Sequence, residues 1–218
     1  MRTKVGLTLS AALIAVNFGS AQTVRVGVGA GIESLKGESV YSRSLSDFGY
    51  GFGPTEFSFS GMTKIGLPSL GLNLVLGCSY IPLAGNGQSD YFTDEDGLTY
   101  QRISMLDSRG SLFAASFGPE WFVRKAGIGP YVGLRARFVH MSSIATTSRS
   151  GNQILTQNVD GWTRLGIGIT GGIEVPENSP ISIDIGGHYN FDWRLDGYDG
   201  EPGLDEYGLT ATVLVSIL

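Results

Sequence analysis

The stretch ISIDIGGHYNFDWR, Ile181 to Arg194, decides how this chain is read. In steps of two, one face carries Ile181, Ile183, Ile185, Gly187, Tyr189, Phe191 and Trp193. The other carries Ser182, Asp184, Gly186, His188, Asn190, Asp192 and Arg194. Successive side chains of a strand point to opposite faces, so this alternation reads as one long strand. Its length is more than double the usual ~5–6 residues. An apolar face that ends in aromatics, backed by a charged face, suits a strand that crosses a membrane as part of a barrel. In such a barrel, lipid-facing and interior residues alternate, and aromatic girdles mark the interfaces.

The same period recurs along the chain. The spacing predicts strands at about 23–35, 55–66, 71–82, 111–123, 130–142, 161–174, 181–194 and 207–218. Val24, Val26, Val28, Ala30 and Ile32 share the outer face of the first strand, and Tyr207, Leu209, Ala211, Val213, Val215 and Ile217 that of the last. The connections alternate long and short, with turns at Pro68-Ser69, Lys125-Ala126-Gly127 and 176–180. Polar segments fill 36–54, 83–110, 141–159 and 195–206, and 98–106 is expected to extend a strand above the membrane. Short turns at one end and long loops at the other are the habit of outer-membrane barrels. The expected fold is therefore all-β: an eight-stranded antiparallel up-and-down transmembrane barrel with short periplasmic turns and long extracellular loops. Tyr80, Trp193 and Tyr207 fall at strand ends beside long loops and Trp121 beside a short turn, as two interfacial girdles require.

Composition agrees. Charged residues make up 16% of the 218 residues, against a usual ~25%. The net charge of -5 argues against nucleic acid as a partner. Beyond the first segment no apolar run is long enough for a membrane helix. The single cysteine, Cys78, excludes an internal disulfide and reads as a small apolar outward residue. Met1 to Ala21 reads as a secretory signal peptide, with Arg2 and Lys4 before an apolar stretch and small residues before cleavage between Ala21 and Gln22. The barrel domain is then 22–218, outside the cytoplasm.

Gly127-Ile128-Gly129-Pro130-Tyr131-Val132-Gly133 and the amphipathic last strand carry a resemblance. They resemble the outer-membrane protein beta-barrel domain family, the class of small eight-stranded barrels of the OmpA, OmpX and OmpW kind. The resemblance spans 23–218 and implies an integral outer-membrane protein of a Gram-negative cell. Its implied partners are outer-membrane lipid, lipopolysaccharide and the barrel-assembly machinery. Leu218 stands where many such barrels end in an aromatic, which implies weaker recognition by that machinery.

The inward faces collect six cations, Arg25, Lys64, Arg135, Arg137, Arg164 and Arg194, and six anions, Glu33, Glu56, Glu120, Glu174, Asp184 and Asp192. Unpaired charges in a narrow lumen are costly, and eight strands leave room for little beyond side chains. Near balance of sign points to an interlocked ion-pair plug, since ion-selective pores line themselves with one sign. Glu120 with Arg135 is the pair the topology favours, and His188 reads as a filler within the network.

Two other constellations stand out. His140 and Ser142 distantly resemble the His-x-Ser of lipid A deacylase barrels. No outward carboxylate stands by to orient the histidine, and Ser143 departs from the expected Asn. The acidic loops hold Asp90, Asp94, Glu95 and Asp96, then Asp196, Asp199, Glu201, Asp205 and Glu206. Phe92 stands where an EF-hand would need its first ligand, so these loops read as solvated surface. The expected function is structural or surface-interactive, through the external loops, with no enzymatic activity, cofactor or metal. The alternatives are a narrow pore or transporter for small or hydrophobic solutes, a lipid-modifying enzyme, and a soluble periplasmic barrel of lipocalin type, which would need the inverted pattern, apolar in and polar out.

Overall fold

The computed structural model describes residues 23–37, 55–87, 91–93, 99–101, 105–122, 128–150, 153–176, 179–194 and 204–217. Ala21, Gln22 and the predicted signal peptide lie outside them. So do Asp90, Asp94 to Asp96, Asp196, Asp199 and Glu201 of the acidic loops, and the turn at 125–127.

Among the described residues, twelve strands form in chain order. They are β1 (Val24–Gly37), β2 (Glu56–Leu67), β3 (Leu72–Gly87), β4 (Tyr91–Thr93), β5 (Thr99–Gln101) and β6 (Met105–Phe122). Then come β7 (Gly129–Met141), β8 (Ile144–Ser150), β9 (Gln153–Val159), β10 (Trp162–Val175), β11 (Ile181–Arg194) and β12 (Leu204–Ser216). Eight of them close a ring in the order β1-β2-β3-β6-β7-β10-β11-β12, with every neighbour antiparallel and β12 paired back onto β1. Closure leaves the ring without a free sheet edge. The other four form two hairpins, β4–β5 and β8–β9.

The register sets the tilt. From Gly27, matched partners run through Met62, Gly77, Ser116, Arg137, Gly166, Asp192 and Leu204, and meet β1 again at Gly37. The circuit returns ten residues beyond its start. An eight-stranded barrel with a stagger of eight tilts its strands by ~36°. A stagger of ten tilts them further, because tilt and stagger are geometrically linked.

The facing follows the alternation on every barrel strand. Phe57 is 72% exposed, Val28 73% and Ile167 60%, whereas Lys64 and Arg164 are each 1% exposed. Apolar side chains face out and charged ones face in. The Pro68–Leu70 turn closes on Gly71, whose φ of 63 is left-handed and favours glycine.

Several boundaries differ from the sequence expectation, three stretches most of all. β3 and β6 run on past Pro82 and Ser111 and pair up to Gly87 and Leu106. β2 leaves β3 after Tyr80, so Pro82 sits where β3 is an edge on that side, which a proline tolerates. Tyr80 is therefore inside a strand and not at its end. Of 98–106, residues 99–101 pair with 91–93 as β4–β5, and only Met105 and Leu106 extend β6. The supposed polar loop 141–159 is the hairpin β8–β9, with β8 paired to Met105–Arg109 of β6. Its Thr- and Ser-rich sequence has no apolar face, so periodicity could not reveal it. Cross-strand pairing with β6 supplies what the pattern lacks.

One ladder is interrupted. β6 and β7 match at Phe117 with Ala136 and again at Glu120 with Gly133, but not between. Pro119 has no N–H to give. Arg135 Nη1 donates instead to the carbonyls of Pro119 (3.1 Å) and Leu134 (3.2 Å). A Cβ on Gly118 would collide with the Leu134 carbonyl, so the close approach requires glycine there.

Candidate functional site: the barrel lumen

Inward side chains sort into two polar layers and an apolar cap. The first layer lies towards the chain termini, where Ile217 N–H donates to Val24 O at 2.9 Å. Lys64 is its centre. Its Nζ lies 2.5 Å from Asp184 Oδ2, 2.8 Å from Glu120 Oε1 and 3.7 Å from Glu174 Oε2. Arg135 Nη2 donates to Glu120 Oε2 at 3.0 Å, and Arg25 pairs with Glu174. Neutral donors complete the set. Tyr131 Oη donates to Asp184 Oδ1 (2.8 Å), Asn73 Nδ2 to Glu120 Oε1 (3.2 Å) and Ser182 Oγ to Glu174 Oε1 (2.7 Å). The Lys64 ammonium also stands 4.4 Å from the centroid of the Tyr131 ring. Three cations thus meet three carboxylates, and each carboxylate oxygen has a partner. A cavity of about 490 Å3 lies against this layer, lined by Arg25, Asn73, Glu120, Tyr131 and Glu174.

The second layer lies towards the opposite end. Arg137 grips Glu206 with two parallel hydrogen bonds, 2.9 and 3.0 Å, the strong bidentate form. Asn190 Nδ2 donates to Glu206 Oε1 at 3.0 Å. His188 Nε2 lies 2.9 Å from Glu33 Oε2 and 3.5 Å from Glu206 Oε1. Ser58 Oγ donates to Glu33 Oε1 at 2.8 Å. Arg164 donates to the Asp192 carbonyl at 3.1 Å and lies 4.5 Å over the Trp162 ring. Arg137 Nε is 3.9 Å from Asp192 Oδ1. Glu56 is half-buried and stands opposite Glu33 in the β1–β2 register. Arg194 is matched to Arg164, and its side chain lies outside the described residues.

Glycine makes these cross-barrel contacts feasible. Gly208 lies between His188 and Glu33 in register, and Gly166 lies between Arg137 and Asp192. A Cβ on Gly208 would overlap the Glu33 carboxylate, and one on Gly166 the Asp192 carboxylate. A bare middle strand lets partners on next-nearest strands touch over it.

Beyond the second layer the lumen turns apolar. Ile81, Leu112, Met141 and Trp162 are matched partners on four adjacent strands and are all buried, and Leu83, Val139, Ile144 and Leu204 pack with them.

Sequence reasoning placed Glu206 in a solvated loop. It is 2% exposed, on the inner face of β12. Extending the last strand's period back by one residue from Tyr207 would have found it. Tyr131 and the apolar cap were also missed. The signal for the cap is a run apolar on both faces, as in Tyr80-Ile81-Pro82-Leu83. His140 Nδ1 lies 3.1 Å from Thr163 Oγ1. Ser142 Oγ accepts from the Ser111 N–H (2.8 Å) and is 3.3 Å from Ser111 Oγ and Ser143 O. The serine and the histidine are thus held by separate partners.

No family model matches the chain, and no curated protein matches it in sequence. Solved structures do. Neisserial surface protein A is 13% identical with a TM-score of 0.50, over 91% of this chain and all of that one. A major outer membrane protein from Thermus thermophilus is 15% identical with a TM-score of 0.50, over 91% and 100%. At such identity the likeness concerns the fold, and the fold leaves open whether a barrel is catalytic. The chain has the closed, antiparallel eight-stranded up-and-down fold of the small outer-membrane barrels.

Proposed function

We propose that this chain is an integral outer-membrane protein whose barrel is a closed anchor and whose role is structural or surface-interactive. The observation that carries this reading is the side-chain obstruction in series along the lumen. Two charge layers and an apolar cap stand in series across it, and the cap's residues Ile81 and Leu112 are each 0% exposed. Water and ions would have to displace buried hydrocarbon and break paired charges to pass. In this reading the termini face the periplasm. The extended ends of β3 and β6, with β8–β9, stand on the outer side and present the contact surface. The signal peptide at 1–21 would deliver the chain, cleaved between Ala21 and Gln22. Lipopolysaccharide and the assembly machinery would be its partners in the membrane.

Single-channel recording in planar bilayers tests the closed lumen. The expected result is no discrete conductance from barrels that migrate as folded species. Stable conductance from such barrels would replace this reading with the narrow-pore alternative.

A further inference from the structure

The two charge layers differ in completeness. The first has three cations for three carboxylates. The second, among described side chains, sets Glu33, Glu56, Asp192 and Glu206 against Arg137, Arg164 and His188. Glu33 and Asp192 are 2% and 0% exposed; Glu33 Oε2 has only His188 Nε2 beside it, at 2.9 Å, and Asp192 Oδ1 only Arg137 Nε, at 3.9 Å. Buried carboxylate oxygens without partners are costly. His188 Nε2 stands between two carboxylates, 2.9 Å from Glu33 Oε2 and 3.5 Å from Glu206 Oε1.

We propose that Glu33, His188 and Glu206 form a binding site for a divalent first-row transition metal, with Zn²⁺ as the representative ion. One ligand atom from each residue lies within 4.8 Å of the others. One imidazole nitrogen with two carboxylate oxygens is a donor set suited to zinc, and three protein ligands with an open fourth position is a familiar zinc arrangement. Calcium favours a shell made wholly of oxygen. A cavity of about 120 Å3 touches all three residues and has room for water to complete the coordination. Arg137 and Asn190 orient Glu206, Ser58 orients Glu33, and bare Gly208 opens the space between ligands. The location suggests the purpose: Glu33 is on β1, Glu206 on β12 and His188 on β11. The ion would clamp the seam where the first and last strands close the barrel.

Direct metal counting tests this. The full barrel is folded into detergent micelles with Zn²⁺, passed over a chelating column and analysed by plasma mass spectrometry. The expected content is near one zinc per barrel. His188→Gln and Glu33→Gln should each lose it, while His140→Ala, which removes the one other histidine, should keep it. Asn190→Ala should weaken affinity about tenfold, as loss of an orienting partner does. Zinc should also raise the temperature at which the barrel loses SDS resistance in the wild type but not in His188→Gln. A wild type that retains no zinc, or a His188→Gln barrel that retains as much, overturns the proposal and leaves His188 as a charged bridge between two carboxylates. Should the variants not fold, Co²⁺ in the wild type decides. Imidazole protons shifted by the metal, and lost on adding Zn²⁺, support the site. Their absence overturns it.

Discussion

Lys64 shows what one residue can hold together. Its side chain is 1% exposed and its ammonium faces three carboxylates, so removing it leaves Asp184 and Glu120 buried without their central cation. Breaking a buried pair by deleting one partner costs about 3–5 kcal/mol. We expect Lys64→Met to lose that much in urea unfolding from lipid vesicles, and Lys64→Met with Asp184→Asn to recover part of it. If the single variant is as stable as the wild type, the first layer does not hold the barrel together. Gly118 makes a second point at this scale. A methyl there meets the Leu134 carbonyl, which is backbone and cannot swing away. Gly118→Ala should cost about 1–3 kcal/mol, as overpacking does. Gly71→Ala, where a Cβ finds open space but φ is positive, tests conformation without crowding and should cost about 1 kcal/mol.

At the scale of elements, β8–β9 is an addition to the barrel and not part of its wall. Met141 and Trp162 are already matched across β7 and β10, so the wall is complete without 143–160. Replacing that segment with a short turn should leave a folded barrel that still resists SDS. It should lower the unfolding temperature only slightly, through the loss of Ile144 from the apolar cap. Loss of the folded band would show that the hairpin and the barrel fold as one unit. This hairpin was illegible in the sequence because neither face is apolar. Its partner, the 105–109 end of β6, lies far from it in the chain. The barrel strands were legible for the opposite reason. Each residue of a membrane strand meets either lipid or lumen, so chemistry alternates with a period of two.

For the whole molecule, facing and tilt make separate predictions. Val213 lies on the outer face beside Val28. Val213→Arg should cost about 2–4 kcal/mol in a bilayer. Asn190→Arg faces the carboxylate-rich second layer and should cost less. Equal costs in matched refolding titrations would contradict the facing. Electrophoresis of unboiled and boiled samples should show a mobility shift, since a closed barrel withstands SDS until heated. The sequence by itself determined which residues point in and which point out. It also contained the eight-strand count and the candidate lumen charges, because the two faces of a barrel wall meet opposite surroundings at alternate positions. Only the tertiary structure decided which charges meet. The stagger of ten carries each strand past its neighbour, bringing Lys64 to Asp184 and Arg137 to Glu206. Stagger is a property of the closed sheet. No single strand encodes it, and so neither the two layers, nor the glycine gaps between partners, nor the apolar cap could be read before the ring was closed.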